Sequence, residues 1–278
     1  MEQNIKYSIV LVCLNAGERL KETVESIVGQ TYQNYEVIIK DGGSTDGSLA
    51  YIKEQVKKGK IHIYEQKDHG IYDAMNQAVS YVTGDYVLFL NAGDSFYDAD
   101  VLEKITHGIK EKEQINGSKP DIVYGNMYHK ALQTVIYPSP VINDFACYRN
   151  VPCHQTCFYA KRLFEKRGYD ISYNVRADYE HFLWCFYEAK ADIQYLPIMT
   201  ASYEGGGYSE TKENRKRSAE QHREIVVHYM GIAKANKYRV LLLLTLAPLR
   251  SKMAESESLS KLYNTCKTFV YRLKGGVS

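Results

Sequence analysis

Apolar and polar positions alternate in blocks along the first hundred residues. Four blocks are rich in apolar side chains: "YSIVLVCL", "YEVIIK", "KIHIYEQ" and "DYVLFL". The first is continuous, which is typical of a strand buried on both faces of a sheet. Between the first two blocks, Leu20, Val24 and Ile27 recur at the spacing of one helical face. Strands that alternate with helices through short connections predict a parallel sheet with right-handed crossovers.

The pattern changes after Asp94. The predicted elements are then, in chain order, a helix in "DADVLEKITHGIKEK", strands in "PDIVYGNMYHK", "QTVIYP" and "QTCFYAK", helices in "RLFEKRG" and "ADYEHFLWCFYEAK", and a strand in "DIQYLPIMTASY". From Glu210 the chain is predicted to be helical. We therefore expect an α/β domain over residues 1–209, with halves at 1–95 and 96–209, and a helical extension over 210–278.

Composition narrows the classes of function. Charged residues make up 24% of the 278 and the net charge is +2, which argues against a nucleic-acid binder because such proteins carry a basic excess. The six cysteines are irregularly spaced, and "CHQTC" lacks the second pair of a structural zinc site, so free thiols in a reducing cytoplasm are expected. No signal peptide is recognised, and no stretch reaches the ~20 apolar residues that cross a bilayer.

A polar or acidic loop follows each of the four early strands. The loop residues are Asn15 and Glu18 after the first strand, Asp41, Gly42, Gly43, Ser44 and Asp46 after the second, Asp68, Asp73 and Asn76 after the third, and Asn91 and Asp94 after the fourth. Because parallel strands end at one edge of a sheet, these side chains should gather there. Carboxylates bind hard cations that bridge phosphate oxygens, so this edge is predicted to hold a nucleoside diphosphate with a divalent metal.

Each loop also has a local explanation. Asp46 and Asn15 are good N-caps for the helices that follow them. "DGG" is an ordinary turn signal, and Asp73 fits a solvated first turn of a helix. Four such loops in succession at strand ends nevertheless favour a binding site.

The order of these motifs resembles a known family. "CLNAGERLKETVESIVGQTYQNYEVIIKDGGSTDGS", "DHGIYDAMNQA" and "FLNAGDSF" are similar to family 2 of the inverting glycosyltransferases of bacterial cell-envelope or exopolysaccharide type. The resemblance covers roughly residues 5–205 and implies a GT-A fold: a Rossmann-like, mostly parallel central sheet flanked by helices. It also implies a nucleotide-sugar donor, commonly UDP-linked, and Mg²⁺ or Mn²⁺. Residues 1–95 would then be the nucleotide-binding half and 96–209 the acceptor-side half.

The resemblance also assigns roles to loop residues. Asp41 would contact the base beside Gly43, Asn15 and Glu18 would line the nucleotide pocket, and Asp68 would lie near the ribose or donor sugar. Asp73 and Asn91 complete the expected donor-binding set: Asn15, Glu18, Asp41, Gly43, Asp68, Asp73 and Asn91.

Two departures from the family pattern stand out. The family often has adjacent aspartates where this chain has Asp41 and Gly42, which leaves the base preference open between UDP, GDP and dTDP. The metal motif is typically Asp-x-Asp, whereas here Asn91-Ala92-Gly93-Asp94 keeps one carboxylate. Asp94 is therefore the expected metal ligand, with weak affinity in the absence of donor phosphates.

Inverting transfer also needs a carboxylate that takes the proton of the acceptor hydroxyl. Asp178, at the start of the helix in "NVRADYEHFLW", matches the family's acidic motif and is the expected base, while an N-cap role is the local alternative. Glu180 is the second candidate. His154 and Gln155 resemble the family's His-Gln segment and are expected on the acceptor side, although His154 is equally typical of a core histidine. "EGGGYSE" resembles a loop that closes over the donor, or a glycine linker.

The C-terminal region contains "VLLLLTLAPL" between cations. We expect it to contact a membrane surface with anionic headgroups, which suits a lipid-linked saccharide acceptor and a peripheral position on the inner face of the cell membrane. The alternative is a helix packed on the catalytic domain or on a second subunit of a homodimer. The competing functions are a sugar nucleotidyltransferase, for which the first loop lacks a basic Gly-rich sequence, and a non-catalytic saccharide-binding protein of the same fold.

Overall fold

The computed structural model describes residues 4–57, 59–206 and 211–244. Its strands are β1 Tyr7–Cys13, β2 Tyr35–Asp41, β3 Ile61–Glu65, β4 Tyr86–Phe89, β5 Ser95–Phe96, β6 Ile122–His129, β7 Thr134–Ile136, β8 Cys157–Ala160 and β9 Ile193–Tyr203. Its α-helices are α1 Glu18–Val28, α2 Lys53–Val56, α3 Ile71–Val79, α4 Val101–Asn116, α5 Asp144–Arg149, α6 Lys161–Lys166, α7 Ala177–Tyr187, α8 Lys212–Met230 and α9 Ile232–Leu244. Short 3₁₀ helices span Ser48–Ile52 and His154–Thr156.

All described strands belong to one sheet in the order β3-β2-β1-β4-β8-β6-β9-β5, with β7 paired to β6. The first four strands run parallel to one another, which confirms that their four following loops lie at one edge. Strand β8 enters antiparallel between β4 and β6, and β6 and β9 are parallel again. The sheet is thus parallel in its first half and mixed as a whole.

The main core lies on the face of the sheet that α1 and α4 cover. Alternate strand residues such as Ile9, Leu11 and Val37 point to this face and are fully buried. Helix α1 adds Leu20 and Val24 from the apolar stripe that the sequence indicates. The opposite face packs against α3, so β1 is buried on both faces. Together, the two layers hold the ends of β1, β2 and β4 fixed at the loop edge.

Four elements differ from the sequence prediction, and one of them is the short strand β5, which was not predicted. The helix expected in "LAYIKEQVKKG" is a 3₁₀ turn followed by the four-residue α2. The strand expected from Gln155 begins only at Cys157, because His154–Thr156 form a 3₁₀ turn. Helix α5 was not predicted, since six residues are too few for a periodic pattern; the Asn143 side chain caps it by accepting from the Ala146 N–H at 2.9 Å.

A buried carboxylate joins β1, β2 and the turn before β4 at the other edge of the sheet. Glu36 accepts hydrogen bonds from Ser8 Oγ at 2.6 Å, from Lys6 Nζ at 2.8 Å and from the Thr83 N–H at 2.7 Å. Burial opposes ionisation, but these donors outweigh it and hold the pKa of Glu36 at about 2. The ionised carboxylate therefore stabilises the fold.

Glu36→Gln should lower the free energy of unfolding by about 2 kcal/mol at pH 7. The folded-state pKa lies below the unfolded value, so this contribution is complete above about pH 4.5 and is lost as the pH falls toward 2. Urea unfolding at pH 7 and pH 3 should show a smaller difference between variant and wild type at the lower pH. Glu54→Gln, in an exposed pair with Lys57, is the control and should have little effect at either pH.

The chain divides into two compact units, residues 1–225 and 226–278. The first contains the whole sheet and α1–α7. In the second, the structure describes residues 226–244, which include α9. Within the described ranges no helix has both the length and the apolar character needed to cross a bilayer. The domain boundary expected at 209 and 210 stays a prediction, and residues 245–249 of the predicted membrane segment, like Cys266, lie outside the described residues.

Candidate active site

The loops after β1 and β2 are held together by side chains of their own. Asn15 lies in the left-handed region at φ 51°, which asparagine tolerates, and its Oδ1 accepts the Thr45 N–H at 2.9 Å. In return, Ser44 Oγ accepts the Asn15 N–H at 2.8 Å. Asp46 accepts the N–H groups of Gly17 at 2.9 Å and Ser48 at 3.0 Å. Asn15 and Asp46 therefore brace the loop edge, and α1 begins without a side-chain cap.

Asp41 shapes the second loop from inside. It is fully buried, and its Oδ2 accepts the N–H groups of Gly43 at 2.8 Å and Ser44 at 2.7 Å. Burial opposes its ionisation, but the hydrogen bonds from Ser44 and Gly43 outweigh that cost and keep the pKa of Asp41 below its ordinary value. The carboxylate therefore fixes the course of this loop, and its contact with a base stays a prediction. Glu18 is exposed at the start of α1.

A buried lysine, not singled out from the sequence, positions Asp68. Lys40 is the penultimate residue of β2, its side chain is 1% exposed, and its Nζ forms a salt bridge with Asp68 Oδ2. Asp68 Oδ1 accepts the Gly70 N–H at 3.1 Å. A β-carbon at Gly42 would lie 2.9 Å from Asp68 Oδ2, so a larger residue there would require the Asp68 side chain to shift. A lysine inside an apolar strand is the sequence signal for such a partner, since lysine is rarely buried unpaired.

Asp73 has a structural contact at the start of α3. Its Oδ2 accepts the His69 N–H at 2.8 Å and a hydrogen bond from Gln77 Nε2 at 3.1 Å. The side chain is only 22% exposed. Asp73 thus stabilises the first turn of α3, as the local explanation has it, and a role in donor binding stays a prediction.

The loop after β4 meets the His-Gln pair of the second half. Gln155 Nε2 donates to Asp94 Oδ2 at 2.6 Å, and the Glu204 N–H donates to Asp94 Oδ1 at 2.9 Å. Asn91 Nδ2 lies 3.2 Å from His154 Nε2. The structure therefore brings Asn91 and Asp94 together with His154 and Gln155. The predicted closing loop starts at Glu204, and its residues 207–210 lie outside the described ones.

His154 connects this loop to Asp178. Its Nδ1 lies 3.0 Å from Asp178 Oδ2. Because an amide nitrogen only donates, Asn91 donates to His154 Nε2, and the ring proton is then on Nδ1 and is donated to Asp178. Asp178 Oδ1 accepts a second hydrogen bond, at 2.8 Å, from the hydroxyl of the buried Tyr72 on α3. Tyr72 is a contact that sequence reasoning missed, since it joins residues 106 positions apart.

The pKa values of Asp94 and Asp178 are shifted in opposite directions. Burial raises the pKa of Asp94 above its ordinary value in spite of the hydrogen bonds from Glu204 and Gln155. Burial also opposes ionisation of Asp178, but the hydrogen bonds from His154 and Tyr72 outweigh it and hold the pKa below its ordinary value. At neutral pH, Asp178 is ionised and its charge is stabilised, whereas the charge of Asp94 lacks full compensation.

Glu180 is separate from this cluster. It stands two positions after Asp178 on α7, which places it on a different side of the helix. Its side chain is 3% exposed and accepts from Arg167 Nη2 at 2.8 Å. Glu180 therefore serves a structural ion pair, and the choice of Asp178 as the base stays a prediction.

Asp178 also lines a cavity of about 510 Å³ that lies beside the cluster. The walls come from the end of β6, from α5 and the segment after it, and from the start of α7. Asn91, Asp94 and the residues of the first three loops do not line it. This volume is within the usual range of small-molecule sites.

Comparison with known proteins identifies the family of the chain. The model of glycosyl transferase family 2 matches residues 8–168. The chain belongs to glycosyl transferase family 2. A PGL/p-HBAD biosynthesis glycosyltransferase of Mycobacterium bovis is 35% identical over 218 residues, which cover 76% of this chain and 83% of that relative. These findings confirm the expected family and glycosyltransferase activity.

Solved structures confirm the GT-A fold. Residues 1–349 of S. aureus TarS in complex with UDP-GlcNAc superpose with a TM-score of 0.65 at 16% identity, over 83% of this chain and 69% of that one. The mannosyltransferase PcManGT of Pyrobaculum calidifontis, in complex with GDP-Man and Mn²⁺, gives a TM-score of 0.60 at 13% identity. The match covers 99% of this chain and 88% of that one. The cluster of Asp94 and Asp178 thus lies in a glycosyltransferase fold, and the roles of its residues stay predictions.

Proposed function

We propose that this family 2 enzyme is a metal-dependent inverting glycosyltransferase that moves a hexosyl group from a nucleotide sugar, expected to be UDP-linked, to a saccharide or lipid-linked saccharide of the cell envelope. One observation carries the proposal: adjacent residues hold the two carboxylates that the reaction needs. Gln155 donates to Asp94, and His154 donates to Asp178. The donor-side and acceptor-side groups are thereby fixed relative to each other.

Asp178 is the proposed base. Each of its oxygens accepts one hydrogen bond, from Tyr72 or from His154, and keeps a further lone pair that can accept the proton of an acceptor hydroxyl. The deprotonated hydroxyl oxygen then attacks the anomeric carbon as the nucleoside diphosphate leaves, which inverts the configuration. His154 and Tyr72 orient the carboxylate, and Asn91 fixes the His154 tautomer.

Asp94 is the residue that would hold a Mg²⁺ or Mn²⁺ ion. Among the residues that the structure describes, no three His, Cys, Asp or Glu side chains cluster as a metal site. Asp94 can still bind a cation, because each oxygen accepts only one hydrogen bond and because a cation would compensate its buried charge. Donor phosphates and water would supply the remaining ligands. When bound, such an ion stabilises the leaving diphosphate.

Calorimetric titration of the full chain with UDP, GDP and dTDP, each with and without Mn²⁺, tests the proposal. We expect UDP to bind in a metal-dependent manner and more tightly than GDP or dTDP. Metal-dependent binding of GDP instead would keep the reaction and change the donor. Failure of all three to bind would contradict the proposed donor site.

We also propose that the C-terminal helix contacts an anionic membrane surface. On α9, Val240 and Leu243 are 54% and 55% exposed, and the cations Lys237 and Arg239 precede them. Leu243→Glu should abolish flotation of the protein with phosphatidylglycerol vesicles, whereas Leu132→Glu, at an exposed leucine of the catalytic unit, should not. If Leu243→Glu left flotation intact but dissociated a homodimer, as measured by sedimentation velocity, a contact between subunits would replace the membrane contact.

A further inference from the structure

The cavity beside Asp178 has a distinctive pattern of charge. Its charged lining residues are two arginines, Arg149 and Arg176, and the single carboxylate Asp178. The remaining lining residues are neutral and include the aromatic side chains of Tyr137, Phe145, Tyr179 and Tyr203. Such faces suit stacking against a sugar ring. The two cations remain to be explained.

Arg176 is held rigidly with part of its guanidinium unused. Its Nε donates to Ser218 Oγ at 2.8 Å, and the guanidinium lies over the Tyr179 ring at 5.2 Å from the centroid. No hydrogen bond or ion pair of its two terminal nitrogens is found within the described part of the chain. Arg176 directly precedes α7, where the helix dipole disfavours a cation. Beyond the contacts with Ser218 and Tyr179, the described residues place no anion against the two terminal nitrogens of Arg176.

Arg149 stands on another wall of the cavity. It is the last residue of α5, it is exposed, and it has no ion-pair partner in the described ranges. Two guanidinium groups from separate elements thus line one cavity together with the proposed base. Guanidinium groups bind carboxylate and phosphate oxygens through paired N–H donors.

We propose that this cavity binds an acceptor that carries an oxyanion, either a phosphate or a carboxylate, and that Arg149 and Arg176 hold that group while a sugar hydroxyl faces Asp178. With a neutral acceptor, the two cations of the cavity would face only one carboxylate, whereas an anionic acceptor balances the charge. When the two arginines hold the oxyanion, the negative charge of the acceptor also stays apart from the carboxylate of Asp178. This inference rests on the proposed transfer reaction, since it takes Asp178 as the base.

The test measures the binding of three probes to the full chain by ligand-observed NMR titration, with UDP and Mg²⁺, which is diamagnetic, present so that the donor site is occupied. The probes are methyl β-glucoside, which is neutral, methyl β-glucuronide, which carries a carboxylate, and glucose 1-phosphate. At least one anionic probe should bind about ten-fold more tightly than the neutral one. The tighter of the two anionic probes identifies the oxyanion as carboxylate or phosphate.

Arg149→Gln and Arg176→Gln should each weaken the binding of the anionic probes by about ten-fold and leave the affinity for the neutral probe unchanged. Because Arg176 also contacts Ser218, Arg176→Lys serves as a second variant that keeps the charge and should retain part of the preference. Arg223→Gln, at an exposed arginine of α8 outside the cavity, is the matched control and should bind all probes as the wild type does.

Equal binding of the three probes, binding of none, or an unchanged preference in Arg149→Gln would overturn the anion site. Failure of UDP itself to bind the wild type would instead contradict the proposed function. The same titration without nucleotide would then still decide whether the two arginines select an anion.

Discussion

Asp178→Asn should lower kcat by roughly 10²–10⁴-fold, the usual contribution of a general base, with little change in nucleotide binding. Asparagine matches the carboxylate in size and still accepts the hydrogen bond from the Tyr72 hydroxyl. It cannot take the proton of the acceptor sugar's hydroxyl. Transfer from a UDP-sugar, measured as released UDP, and calorimetry with UDP and Mn²⁺ separate the two effects. An unchanged kcat would remove Asp178 as the base.

Glu180→Gln is the discriminating comparison, because Glu180 is the other acidic residue of the helix start. It breaks the buried pair with Arg167, so the free energy of unfolding should fall by about 3 kcal/mol. The kcat of the folded protein should stay near the wild-type value. If kcat instead fell in Glu180→Gln and held in Asp178→Asn, the two roles would have to be exchanged.

The sequence predicted the part of the site that depends on local pattern. Apolar blocks located β1, β2 and β4, and the parallel order of these strands placed Asn15, Asp41 and Asp94 at one edge. Such features need only the periodicity of a segment and a rule of topology. The family resemblance then selected Asp178 from the later acidic residues.

The contacts that define the cluster were beyond local pattern. Gln155 and Asp94 are 61 positions apart, and Tyr72 and Asp178 are 106 apart, so only the folded chain pairs them. The antiparallel entry of β8 between β4 and β6 is what brings His154 and Gln155 to the end of β4. From the sequence alone, Lys40 is typical of a polar residue at a strand end, and only the folded chain shows its salt bridge with Asp68.

Asp94→Asn should weaken Mn²⁺-dependent UDP binding by about 100-fold or more, since even an outer-shell partner of a metal ligand is worth 10–100-fold. The amide keeps the size of the side chain and removes the charge that would attract a cation. Calorimetry with UDP should show the loss in the presence of Mn²⁺ and little difference in EDTA. Asp98→Asn, a partly exposed carboxylate that pairs with Lys104 outside the cluster, is the control and should bind as the wild type does.

The same variant should not destabilise the protein, which separates a binding role from a structural one. Because the folded-state pKa of Asp94 lies above its ordinary value, its charge costs stability at neutral pH, and this cost disappears when asparagine replaces it. The amide nitrogen does not accept, so one of the hydrogen bonds from Gln155 and Glu204 is lost, and this loss offsets the gain. Tm in the absence of metal should therefore change little. A large fall in Tm together with an equal loss of UDP binding in EDTA and in Mn²⁺ would show that Asp94 serves the fold through Gln155 and Glu204, and a metal role would then be contradicted.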